Sequence, residues 1–213
     1  LSKSKFKSNY VRALCYQLFE NNGVMKRESV QEMIKKISRE DRSSLRKSGI
    51  KIGRYHIFLP KMLKPGAVDL RVKLWKLYFF EDRKYIIPKS GLNFLKNESI
   101  KNNKFLLICG FENFNKFYIR VDILERLFLK IIENTKNGTF KIDSDMMNLI
   151  GCSKENFFKV LELMNYKAKN IKDSQDEFFT YKPKYSKINK MKTKNKKRNK
   201  DNPFDKLSEL RFN

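Results

Sequence analysis

Histidine is almost missing from this chain: His56 stands alone among 213 residues. A single histidine excludes a histidine-rich metal site. It also leaves any Ser-His or Cys-His arrangement to one residue, and His56 sits in an apolar run with no nucleophile or second ligand beside it. It therefore reads as a hydrogen-bonded core histidine rather than a catalyst. Cysteine is as sparse. Cys15, Cys109 and Cys152 are odd in number, widely spaced and unpaired in any metal-type motif, so they read as reduced structural thiols of a cytoplasmic protein. No stretch approaches the roughly 18 uncharged apolar residues that would span a bilayer, and no charged-then-apolar export signal opens the chain. There is no G-x-x-x-x-G-K-[ST] phosphate loop. Catalysis within these residues is not expected.

Acidic residues are scarce relative to basic ones, and that imbalance is the strongest positive signal. Lys and Arg number 48 against 23 Asp and Glu, a formal charge of +25. A field of that sign attracts polyanions, nucleic acid first and an anionic membrane surface second. The plain alternative is AT-rich coding, which inflates Lys, Asn, Ile and Phe together, and all four are abundant here. Apolar residues make up 40% of the chain, enough for one domain with a full core or two small ones. From Lys182 to Lys200 there are ten Lys/Arg and no acid, so this tail should be disordered and self-repelling. Removing its ten charges from +25 leaves +15 on the rest. Beyond it, Phe204, Leu207 and Leu210 form a short amphipathic coda.

Periodicity divides what remains. Val11, Leu14, Cys15, Leu18 and Phe19 hold helical spacing over Ser8 to Asn21 before Gly23. A second helix is expected over about Lys26 to Ile37 and a short third over Asp41 to Ser48. Ile50 to Leu59 reads as a buried strand ended by Pro60. Pro65 then suits the first turn of a helix running from about Lys64 to Phe79, apolar around most of its circumference and expected to be the nearly enclosed spine of the core. Residues 81–104 read as a linker with an extended Ile86-Ile87-Pro88 and an exposed loop over Lys96 to Lys104. Leu106 to Cys109 and Tyr118 to Val121 read as strands. Asp122 with Glu125 reads as a capping-box opening for a helix that stops at Asn137-Gly138. Phe140 and Ile142, Met146 to Ile150, the Gly151-Cys152-Ser153 turn, Lys154 to Met164, and a hairpin of Tyr166 to Ile171 with Phe178 to Lys182 follow. Helix, strand, helix, tight turn, helix, hairpin is the order of a winged helix, expected over about Tyr118 to Tyr181; a generic small α+β domain is the alternative.

The string SGIKIGRYHIFLPKMLKP and the following AVDLRVKLW resemble the C-terminal part of a family of bacterial superfamily-two helicases related to the RNA helicase of the mitochondrial degradosome. RALCYQLFENNGVMKRESV upstream and VDILERL, LIGCS and DNPFDKLSEL downstream resemble that family in the expected order. None of these pieces is a catalytic signature. Asp176-Glu177 is followed by Phe-Phe, so the acidic metal-and-water box of such helicases is absent. The resemblance implies an ATP-driven motor upstream of Leu1, with ATP and magnesium held there and no cofactor in this piece.

Candidate nucleic-acid contacts follow from charge placement. Lys51, Arg54, Lys61 and Lys64 surround Tyr55 and its exit turn, a backbone-tracking patch that needs no base readout. Arg71 either snorkels past Trp75 and Tyr78 to water or reaches a phosphate or an acid of the motor. Lys154 and Lys159 lie on the helix that would read a groove, but Glu155 and Glu162 there repel phosphate. Lys167 and Lys169 fall on the hairpin, and Lys196, Lys197 and Arg198 in the tail.

The fold expected is mainly α with small β elements (α+β). A helical unit over residues 1–80 surrounds a buried strand and helix, with a linker over 81–104. A winged-helix-like unit follows over 105–182, and a disordered lysine-rich tail over 183–213. The function expected is that of a C-terminal accessory region that grips single-stranded RNA or DNA for an ATP-dependent helicase. It would be a monomer in the cytoplasm, bound to its motor domains and not to membrane. The alternatives are a stand-alone winged-helix regulator and a protein-docking scaffold hooked by Phe204, Leu207 and Leu210.

Overall fold

The computed structural model describes residues 8–79, 87–96, 103–169 and 178–180. Residues 1–180 form one unit; residues 181–213, with the lysine run and the Phe204 coda, lie outside the described residues.

Helix α1, Asn9–Glu20, buries Val11, Leu14, Cys15 and Leu18, whereas Phe19, the fifth residue of the expected stripe, is exposed. Asn22 and Gly23 turn left-handed (φ 54° and 81°) and release the chain into strand β1, Val24–Lys26. The helix expected from Lys26 therefore begins later. A 3-10 turn covers Arg27–Val30, and α2 is Gln31–Lys36. Ser38 caps α3, Arg39–Lys47, by accepting from the Asp41 amide at 3.1 Å. The single strand read over Ile50 to Leu59 is a hairpin instead: β2, Lys51–Ile52, and β3, His56–Phe58, pair antiparallel. The sheet order is β1-β3-β2, and α1, α2 and α3 close over it with Leu45, Ile50 and Ile57 at the centre.

After a 3-10 turn over Pro60–Leu63, α4 runs Pro65–Phe79 with the proline at its start. It is not the enclosed spine that its apolar circumference suggested. Only Arg71, Val72 and Trp75 are buried, while Leu70, Leu74, Leu77, Tyr78 and Phe79 are exposed. Apolar surface is common on folded proteins, so apolarity around a helix does not by itself imply burial.

Within the stretch read as a linker, β4, Phe94–Lys96, joins a second sheet; residues 80–86 and 97–102, including Ile86 of the extended segment and most of the Lys96 to Lys104 loop, lie outside the described residues. Leu106 to Cys109 is not a strand: α5, Asn103–Ile108, takes most of it and buries Phe105 and Leu106. Strands β5, Phe111–Phe114, and β6, Phe117–Arg120, form a hairpin whose sheet has the order β4-β6-β5. Trp75, Phe105 and Tyr118 share the cluster that seats α4 against this sheet.

Helix α6, Val121–Glu133, ends at Asn134. Asn137-Gly138 is instead the two-residue turn between β7, Thr135–Lys136, and β8, Thr139–Lys141. Both turn residues are left-handed (φ 50° and 76°), as such a hairpin requires. Helix α7, Ser144–Ile150, stops at left-handed Gly151, and Ser153 caps α8, Lys154–Leu163. Strands β9, Lys167–Lys169, and β10, Phe178–Thr180, complete a third sheet of order β7-β8-β10-β9. Phe140, Phe157, Val160, Leu161 and Phe179 are buried in this part.

Val24 and Phe58 of the first sheet pack on Val121 at the start of α6, so the halves share a core. The result is mixed helix and sheet, α+β. Among the described residues, no helix is long and apolar enough to cross a membrane.

The asymmetry of α4 gives a test. Trp75→Ala should cost about 3–5 kcal/mol in urea unfolding. Leu77→Ala, on the exposed side, should stay within about 0.5 kcal/mol. Equal losses would mean that α4 is enclosed after all.

Candidate nucleic-acid interface

The loop that turns β2 into β3 carries the first group of expected contacts, and a carboxylate from the other half of the chain shapes it. Glu125 projects from α6 and accepts the backbone amides of Arg54, Tyr55 and His56, the last two at 2.8 Å. Gly53 makes room: a side-chain carbon there would fall within the Glu125 carboxylate. From the opposite side, the Arg27 guanidinium donates to the Gly53 carbonyl at 2.7 Å, and the Arg27 amide donates to Tyr55 O at 2.8 Å. The Asp122-x-x-Glu125 opening is thus not a capping box. Arg120 holds the N-cap position without a side-chain cap. Asp122 takes two bonds from the Arg120 guanidinium at 2.6 and 3.0 Å, and Glu125 is committed to the distant loop.

Beside this sits a second buried carboxylate. Glu112 on β5 accepts from Lys26 Nζ on β1 at 2.6 Å and lies 2.7 Å from His56 Nε2 on β3. A carboxylate only accepts, so Nε2 carries the proton. His56 Nδ1 has no hydrogen-bond partner; its nearest carboxylate oxygen is Glu125 Oε1 at 3.9 Å. His56 is 1% exposed, the hydrogen-bonded core histidine expected from its setting. Burial pushes the Glu112 carboxyl up, but the hydrogen bonds from His56 and Lys26, with their charges, outweigh it and hold the group below the ordinary carboxylate value. Among the described residues, no group of three or more His, Cys, Asp or Glu could hold a metal ion.

The expected contact residues separate clearly. Lys51, Lys61 and Lys64 are exposed, on β2, on the 3-10 turn and just before α4. Arg54 is half-buried, its guanidinium 5.7 Å from the Phe128 ring centre, a stacking contact within the fold. Lys154 and Lys159 are exposed on α8, Lys154 lying 5.6 Å from the Phe158 ring, with Glu155 and Glu162 exposed on the same helix. Lys167 and Lys169 are exposed on β9. Lys196, Lys197 and Arg198 lie outside the described residues.

Arg71 does neither thing expected of it. It is 2% exposed, so it does not snorkel to water. Nη1 donates to the Met62 carbonyl at 3.0 Å, while Nε and Nη2 have no hydrogen-bond partner. Burial pushes its pKa down to about 10, partly opposed by the Cys109 thiol nearby, so the guanidinium remains charged near neutrality. Burial likewise pushes Cys109 up to about 12, against the pull of Arg71 and Lys76, which makes it an inert thiol.

Sequence reasoning overlooked the roles of Lys26 and Glu112 and assigned Glu125 to a capping box. One signal was available for Glu125. It falls four residues after Val121 and three before Phe128, on the apolar stripe of its own helix, where a carboxylate needs a buried partner.

No family model matches this chain, and no curated protein matches it in sequence.

Two variants test the junction. Glu125→Ala strips three amides of their acceptor and should cost about 3–5 kcal/mol, lowering Tm by roughly 10 °C. Glu112 titrates below its unfolded value of about 4.3. Its contribution is therefore complete above that pH and is lost as pH falls through the lower folded-state value. The Tm difference between wild type and Glu112→Gln should accordingly hold above about pH 5 and narrow as the pH falls below the unfolded value. A gap that stays constant would show that the carboxylate is not held in its charged form.

Proposed function

We propose that this chain grips single-stranded nucleic acid by its charge, as the accessory region of an ATP-dependent helicase whose motor lies elsewhere. One observation carries the reading. Lys51, Lys61, Lys64, Lys154, Lys159, Lys167 and Lys169 all project to the surface, whereas Glu112 and Glu125 are consumed inside the fold. Two acids are buried, as is one base, Arg71, while Glu28, Glu32, Glu155 and Glu162 are exposed, so the basic surface follows from the net charge, with these lysines at its exposed positions. The resemblance of SGIKIGRYHIFLPKMLKP to degradosome-type helicases supplies the helicase part, with ATP and magnesium assigned to the missing motor and a cytoplasmic monomer as the setting.

The winged-helix reading of about Tyr118 to Tyr181 belongs here too. Its support is the order α6, β8, α7, α8, β9, β10, with β10 between β8 and β9 in the sheet. A stand-alone duplex-binding regulator is the second reading that this order allows. Glu155 and Glu162 on α8 weigh against it, because the helix that would enter a groove exposes acids to phosphate.

Filter binding of the full chain to single-stranded RNA across a salt series tests the proposal. The logarithm of the binding constant should fall linearly with log salt, by a slope of about −0.7 per phosphate engaged. Binding indifferent to salt rejects it. A clear preference for duplex with dimerisation in sedimentation would favour the regulator. ATP hydrolysis by this chain alone would contradict a motor lying elsewhere.

A further inference from the structure

The sheet of order β7-β8-β10-β9 has two unlike faces. Directly opposed residues share a face and successive residues alternate. Phe140 opposes Phe179, and both are 1% exposed, stacked with each other at 6.0 Å and flanked by Tyr166 and Phe158. That face belongs to the core. The other face carries the remaining rows of the register. Lys136, Thr139, Thr180 and Lys167 cross all four strands, and Lys141, Phe178 and Lys169 cross three.

This outer face therefore holds four exposed lysines, two half-buried threonines and one half-buried phenylalanine, and none of its described residues is acidic. Strand spacing places Lys136 and Lys167 about 14 Å apart across the sheet, and Lys167 and Lys169 about 7 Å apart along one strand. Folding explains part of the arrangement: polar side chains take the solvated face, and lysine on the edge strands β7 and β9 guards against strand pairing. Lysine is depleted in strands, and like charges gathered on one sheet face repel. Solvation of this face and a lysine-rich coding bias account for the lysines, but neither calls for an aromatic ring among them with no acid among the described residues of the face. Phe178 sits in the middle, with lysine on both flanks.

We infer that this face is a platform for a single strand of RNA or DNA. A base stacks on Phe178 while neighbouring phosphates meet Lys136, Lys167 and Lys169, and the Thr180 hydroxyl is placed for a phosphate or sugar contact, that of Thr139 being donated to the Lys136 carbonyl at 3.1 Å. Lys141 makes contacts of its own, so the grip is assigned to the other three lysines. The inference rests on the nucleic-acid reading above and adds where the strand lies and why it is single. A duplex keeps its bases stacked and has none to lay on the ring, and a lipid surface would engage the lysines without needing an aromatic face.

The test uses the full chain with a fluorescently labelled oligothymidylate, and inorganic polyphosphate as a probe without bases. The triple variant Lys136→Glu, Lys167→Glu, Lys169→Glu should bind oligothymidylate at least about tenfold more weakly, and its log–log salt slope should shrink by about 2. The charge-matched triple Arg46→Glu, Lys47→Glu, Lys73→Glu, on α3 and α4, should change affinity less than about threefold, since its residues face other surfaces. Phe178→Leu keeps an apolar side chain in the strand. It should lose roughly fivefold or more for oligothymidylate, as removal of a stacking ring does, while polyphosphate binding stays unchanged. Equal losses from the two triples overturn the sheet assignment and leave salt-dependent nucleic-acid binding standing. Unaltered oligothymidylate binding by Phe178→Leu overturns the stacking role. Absence of any salt-dependent binding by the wild type removes the parent reading itself, which is a different failure.

Discussion

The structure of residues 8–180 depends on one carboxylate and three amides. Glu125 leaves the apolar stripe of α6 and closes the backbone of a loop roughly seventy positions earlier in the chain. A buried carboxylate without such donors would be costly, and three buried amides without an acceptor would be costly too. Joined, they are satisfied together, and neither α6 nor the loop between β2 and β3 can be displaced without leaving the other's groups unpaired. The Lys26–Glu112–His56 chain repeats the logic one strand away, tying β1 and β3 to β5. Polar networks of this kind contribute less to net stability than to uniqueness, because a slipped arrangement leaves several groups unsatisfied at once.

The junction also shapes the exterior. It draws two acids inward, Glu112 and Glu125, which the burial of Arg71 partly offsets. The lysines are not spread evenly. On α8 they alternate with exposed acids, whereas the outer face of the third sheet has none among its described residues. Charge sign alone therefore says little about where a polyanion would lie; the pairing register of short strands says more.

Much of this was legible from residue order. The apolar stripe of α1, Pro65 opening α4, the hairpin nature of the last two strands and the packed setting of His56 all follow from local rules, and all are found in the structure. Several readings failed, for distinct reasons. Leu106 to Cys109 is a short apolar run, which periodicity cannot assign, and α5 claimed it. The apolar girdle of α4 was taken for burial although exposed leucine is ordinary. Ile50 to Leu59 looked continuous because nothing local reveals a bend imposed from α6. Asp122 and Glu125 have capping-box spacing, but each had a stronger partner: the Arg120 guanidinium for one and three distant amides for the other. Arg71 shows the same limit, since neither reading of a helical arginine anticipates a buried guanidinium with two unpartnered nitrogens.

The corners of the fold carry a consequence of their own. Among the described residues, the non-glycine positions with left-handed backbone are Asn22, Asn115, Asn137 and Asn165, and the whole chain contains only 8 glycines. Asparagine tolerates that conformation better than other side-chain-bearing residues, at a cost that rises to about 1–2 kcal/mol for most replacements. The asparagine enrichment that looks like a by-product of base composition is thus structural at four chain reversals. A lineage drifting toward other codons would find those sites resistant, accepting glycine readily and little else, so nucleotide bias and backbone geometry have become interlocked in this protein.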